Sequence, residues 1–170
     1  PGFVEAKLSE RDERLKRTGD TRYVLEPNIK EGKGGLRDLQ TLYWLTKFLY
    51  GVSNLSELEA LNVFTSQDVN LYTKAHDFLW TVRCHLHYLA GRPEERLTFD
   101  VQKSIGEKMH YADRSGVSGV ERFMKHYFLM AKARFYKKEY LAALNTFKYI
   151  IRAYPKSNLV NQALIWSSKC

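Results

Sequence analysis

Six apolar residues, Tyr72, Ala75, Leu79, Val82, Leu86 and Leu89, recur at intervals of 3, 4, 3, 4 and 3. Only an α-helix brings residues so spaced onto one face, and an a/d seam of this kind needs other helices packed against it. Thr65 or Ser66 can cap this helix and Gly91 can end it. Phe78 and Trp80 widen the apolar stripe, which makes the helix the expected spine of a bundle.

The flanking sequence supplies its partners. Apolar residues at 36, 39, 42, 43, 45, 48 and 49 predict a helix over Leu36–Tyr50 that closes at Gly51. Ser56-x-x-Glu59 reads as a capping box for a short helix through Leu58 and Leu61. Asp100 is placed to cap a helix carrying Val101, Ile105 and Met109. Ser118-x-x-Glu121 reads as a second box ahead of Val120, Phe123, Met124, Tyr127 and Met130. Residues 4 to about 17 are densely charged, with Leu8 and Leu15 as the main apolar marks, and predict an exposed helix laced by i,i+4 pairs. Arg22-Tyr23-Val24-Leu25 is short and β-prone, a single edge strand or an extended lead-in. The predicted fold class is all-α: an antiparallel helical bundle with one minor short strand, over residues 1–131.

The last forty residues follow another pattern. Ala131, Tyr140, Ala143, Phe147 and Pro155 match the spacing of the 34-residue tetratricopeptide unit, in which the small Ala143 admits a neighbouring helix and Pro155 stops the second one. Residues 132–170 are therefore expected to form a partial tetratricopeptide-like helix pair. Such units bury their faces only by stacking, so this tail is expected to borrow a surface from the bundle, to pair with another chain, or to be a truncated piece. Charge changes at the same place. Residues 1–130 carry 19 basic and 18 acidic side chains, whereas residues 131–170 carry 8 basic side chains against Glu139 alone. The net charge of +8 is thus a property of the tail, and basic and aromatic residues are not arranged as a nucleic-acid stacking platform. With 44% hydrophobic residues the chain can fill a core, yet no run reaches the ~18 residues of a membrane span. The polar start is no signal peptide, and the missing initiator Met suggests a fragment. Cys84 and Cys170 make no disulfide framework, so a cytoplasmic location is expected.

Chemistry concentrates at residues 25–38, Leu-Glu-Pro-Asn-Ile-Lys-Glu-Gly-Lys-Gly-Gly-Leu-Arg-Asp. Pro27 fixes φ, while Gly32, Gly34 and Gly35 allow a sharp turn or close approach to a ligand. Lys30, Lys33 and Arg37 gather cations where a helix begins, a combination suited to phosphate or carboxylate. An ordinary surface connection has the same spacing, so both readings stand at this point. Elsewhere catalytic patterns are lacking. There is no Asp-x-Asp for holding Mg²⁺ against a triphosphate, and Glu57-x-Glu59 belongs to a helix start. His76-Asp77 lies at polar positions of the spine helix, and Cys84-His85-x-His87 points its side chains in different directions.

Residues 23–40, the run Phe78-Leu79-Trp80-Thr81-Val82-Arg83-Cys84-His85-Leu86-His87-Tyr88-Leu89-Ala90-Gly91-Arg92, the hexapeptide Glu95-Arg96-Leu97-Thr98-Phe99-Asp100 and residues 120–127 closely resemble the bacterial bifunctional uridylyltransferase/uridylyl-removing enzyme of the PII nitrogen-signalling protein. The resemblance is collinear over about residues 1–131. It implies the helical accessory domain that follows a nucleotidyltransferase core, with the Mg²⁺-binding carboxylates upstream and the His-Asp hydrolase domain downstream. It further implies that UTP and Mg²⁺ serve the intact enzyme, and that the transferase core and PII are its partners. Lys30, Lys33, Gly34, Gly35 and Arg37 are then expected near nucleotide phosphates, with Glu26 and Asp38 fixing those cations or capping the helix. No catalytic or metal-binding residue is assigned to this chain, and alone it is expected not to turn over. The competing expectation is a non-enzymatic tetratricopeptide-type module whose basic tail binds a protein or peptide.

Overall fold

The computed structural model describes residues 2–18 and 24–133, with side chains described as far as residue 131. Six α-helices follow one another: α1 (Gly2–Thr18), α2 (Leu36–Tyr50), α3 (Ser56–Ala60), α4 (Ser66–Ala90), α5 (Phe99–Lys108) and α6 (Gly119–Phe128). A π-helical turn, Leu129–Ala133, continues α6. The tetratricopeptide-like tail and residues Arg22 and Tyr23 of the expected strand lie outside the described residues.

The spine helix forms as its spacing requires. Thr65 caps α4 in a closed capping box: its Oγ1 accepts from Asp68 N at 3.2 Å, and the Asp68 carboxylate accepts from Thr65 N at 3.0 Å. Tyr72, Ala75, Leu79, Val82 and Leu86 are buried along one face, and Gly91 ends the helix at φ 62°. Leu89, expected in the seam, is 40% exposed among the described residues. Helices α2, α3 and α5 pack on α4, α6 packs on α5, and α1 packs on α2. The main core joins Leu36 and Leu39 of α2 to the α4 seam, Ile105 of α5, and Phe123 and Tyr127 of α6. Val52, Leu58 and Phe64 form a smaller cluster beneath α3.

Three local expectations change. The box at Ser56-x-x-Glu59 is displaced by two residues: Asn54 Oδ1 accepts from Glu57 N, and the Glu57 carboxylate returns to Ser53 N. Glu59 instead accepts from Ser66 Oγ, which ties α3 to the start of α4. Asp100 does not cap α5. That helix starts after Thr98, and the Glu26 carboxylate, 73 residues away in sequence, accepts from Phe99 N at 3.0 Å. The extended pairing near residue 25 is a single antiparallel bridge, Asn28 with Arg96, and Val24 and Leu25 form no strand. At α6 half of the expected box is shown, with Ser118 Oγ accepting from Glu121 N at 3.3 Å.

Candidate functional site

The Gly-rich segment is built by its own backbone. Asn28 Oδ1 accepts from Lys30 N at 3.1 Å and Glu31 N at 2.6 Å, the turn that an Asx side chain imposes on the residues after it. Asn28 O accepts from Gly32 N, Gly32 O from Gly35 N, Ile29 O from Leu36 N, and Lys30 O from Arg37 N, all within 2.9–3.0 Å. Ile29 is fully buried and nails the turn to the core. Three glycines are required by this path. A Cβ on Gly32 would stand 2.5 Å from Asn28 O. Gly34 takes φ 76°, and a Cβ on Gly35 would stand 2.5 Å from Ile29 O and 2.9 Å from Gly32 O.

The turn is also stitched to the far end of the bundle. Ile29 N donates to Glu95 O at 2.8 Å and Leu97 N to Pro27 O at 2.9 Å. Gln102 Nε2 donates to both Leu25 O and Leu97 O. Glu95 itself receives the Arg83 guanidinium of α4 in a forked contact, Nε to Oε2 at 2.9 Å and Nη2 to Oε1 at 2.5 Å, with His87 Nε2 3.7 Å away. Burial alone would raise the Glu95 carboxyl. The Arg83 hydrogen bonds, with the charges of Arg83, His87 and Lys30, hold it below the usual carboxylate range. Lys30 therefore stands in the field of this cluster.

On the other flank, Asp38 joins three elements. Its Oδ1 takes Arg14 Nη2 of α1 at 2.5 Å and lies 3.6 Å from Arg11 Nε, and its Oδ2 accepts from Gly34 N at 2.8 Å. Arg14 and Asp38 are 4% and 3% exposed. Glu31 stands between Arg14 Nε at 3.8 Å and Arg37 Nη2 at 3.6 Å. Arg37 also reaches Gln40 Oε1 at 3.5 Å.

The sequence-predicted residues are thus brought together on one turn, in defined roles. Backbone N–H groups of Lys30, Gly32, Gly34, Gly35 and Arg37 all donate within the chain. An anion meeting this turn would encounter side chains, not a backbone nest. Asp38 is expected to fix Lys30, Lys33 and Arg37, but the cations it takes at 2.5 and 3.6 Å are Arg14 and Arg11 of α1. Glu26 does cap a helix, but it is α5. Sequence reasoning missed Arg11, Arg14, Glu31, Asn28 and the Arg83–Glu95 pair. The signal for the first two was present: Arg11 and Arg14 fall on the face of α1 that carries Leu8 and Leu15.

The remaining polar candidates have structural work. Trp80 Nε1 donates to His76 Nε2 at 3.0 Å, and His76 stacks on Tyr72 with centroids 6.1 Å apart. Among the described residues no group of three His, Cys, Asp or Glu could hold a metal ion, and no helix is long and apolar enough to cross a membrane.

The family model for GlnD PII-uridylyltransferase matches residues 2–133. The chain belongs to that family. Two relatives are each named a bifunctional uridylyltransferase/uridylyl-removing enzyme. The one from Rhodospirillum rubrum is 66% identical and the one from Azospirillum brasilense 61% identical, each over 132 residues. These alignments span 78% of this chain and 14% of each relative. No solved structure matches. The turn, the α4 seam and the Asp38 and Glu95 clusters all lie inside the matched segment.

Proposed function

We propose that residues 2–133 form the helical accessory segment of a PII uridylyltransferase, with the turn after α1 facing the phosphates of UTP. The observation that carries this reading is the placement of Lys30, Lys33 and Arg37 on one rigid turn, locked by Asn28, Asp38 and Glu95, inside the segment shared with the uridylyltransferases. A turn so constrained has little backbone conformational entropy left to lose on binding. Those cations would orient the triphosphate and offset charge that develops when UMP passes from UTP to PII. The intact enzyme needs Mg²⁺ by family resemblance, but the carboxylates nearest the turn, Glu31 and Asp38, already face guanidiniums. We assign no metal role to them and no chemical step to this segment by itself.

The test is a graft. Residues 2–133 replace the matching segment of the Rhodospirillum rubrum enzyme, and uridylylation of PII is measured. The grafted enzyme should retain activity, and the graft carrying Lys30→Ala, Lys33→Ala and Arg37→Ala should show a KM for UTP raised about tenfold or more. An unchanged KM for UTP in that variant, with PII uridylylation intact, refutes the role given to the turn.

A further inference from the structure

Arg14 carries an unused donor. Its side chain is 4% exposed and its Nη2 is committed to Asp38 at 2.5 Å, while its buried Nε has no hydrogen-bond partner. That Nε faces Glu31 Oε2 at 3.8 Å, and Arg37 Nη2 stands 3.6 Å from Glu31 Oε1. Both separations exceed the ~2.7–2.9 Å of a formed N⁺–H···O⁻ bond. Buried donors are almost always satisfied, so an orphan beside a loosely held carboxylate marks a position that a better acceptor can take. Phosphate is such an acceptor: its tetrahedral oxygens reach further than a carboxylate's and match the guanidinium fork.

We infer that the Glu31 carboxylate holds the place of a ligand phosphate between Arg14 and Arg37, and that a bound polyphosphate displaces it. The inference rests on the proposed role of this turn at a triphosphate and adds two residues to it, Arg14 as a buried anion donor and Glu31 as an internal competitor. Displacement is sterically feasible, since Glu31 is a quarter exposed and its backbone is held separately by Asn28. The ligand chemistry is a chain of phosphates, either free or carried by a nucleoside.

The test titrates the full chain with two probes, inorganic tripolyphosphate and UTP with Mg²⁺, by calorimetry. Glu31→Gln should tighten tripolyphosphate about fivefold, as expected when two long ion contacts, one to the buried Arg14 and one to the partly exposed Arg37, stop competing. In an Arg37→Ala background the same substitution should tighten it by less than half as much in log units, because the pair that the carboxylate occupied is gone. Equal gains in both backgrounds would mean general charge removal and overturn the inference, as would unchanged, weaker or undetectable tripolyphosphate binding by Glu31→Gln. Tightening of tripolyphosphate without UTP binding upholds displacement while refuting the nucleotide reading. UTP binding that needs Lys30, Lys33 and Arg37 but ignores Glu31→Gln does the reverse.

Discussion

Replacing Asp38 by Ala should unfold much of what holds the turn. Asp38 and Arg14 are nearly solvent-free, so the substitution leaves a buried guanidinium with only the looser Glu31 contact at 3.8 Å as counter-charge. Removing one partner of a buried ion pair costs about 3–5 kcal/mol, and the loss of the acceptor for Gly34 N adds to it. For a folded unit of this size each kcal/mol moves Tm by roughly 3–5 °C, so a fall of roughly 9–25 °C is expected. Asp38→Asn keeps an acceptor for Gly34 N while losing the charge, and should fall between wild type and Ala. Replacing the pair together, Arg14→Met with Asp38→Leu, should cost less than Asp38→Leu alone, because the buried guanidinium leaves with its closest partner. Thermal melts give the Tm shift and urea unfolding the free-energy changes, both followed by circular dichroism. A loss below about 1 kcal/mol for Asp38→Ala would show that the pair does not carry the junction of α1, the turn and α2.

Two further predictions concern the backbone and pH. Gly35→Ala sets a Cβ against two carbonyl oxygens and should cost about 2–3 kcal/mol or prevent folding, whereas Gly51→Ala meets open space at φ 64° and should cost about 1 kcal/mol, both read by the same melts. Burial lowers the pKa of His126, whose Nδ1 meets the Tyr111 hydroxyl and whose ring lies 4.7 Å from Phe78. With the folded pKa below the unfolded value, the unfolded chain binds more protons, so this group's stabilisation is full above about pH 6.5 and is lost as pH falls toward the folded value. Urea midpoints taken between pH 7.5 and 5.5 should fall in wild type and fall less in His126→Gln; equal slopes would refute the assignment.

The parts of the fold legible in the sequence are those set within one helix. The α4 seam, its Thr65 cap and the Gly51 and Gly91 stops depend on spacing and local chemistry, and they appear where the residues put them. The displaced box at Ser56 shows the limit of that approach, since Asn54 and Ser56 are both able to cap and a one-sequence pattern does not rank them. Contacts across the chain were out of reach. Nothing near Phe99 reveals that Glu26 caps its helix, and nothing near Asp38 names Arg14 as its partner. The turn was recognised from its glycines and cations, but its wiring was not. Asn28 and the carbonyls of Ile29 and Lys30 consume donors that spacing alone would leave for a ligand.

The most direct measurement is the binding of UTP with Mg²⁺ to this chain, compared with the variant carrying Lys30→Ala, Lys33→Ala and Arg37→Ala. Saturable calorimetric binding by the wild-type chain that weakens at least tenfold in the variant, with both equally folded by circular dichroism, is the predicted result. Undiminished UTP binding by the triple variant would contradict the claim that this turn holds the nucleotide's phosphates.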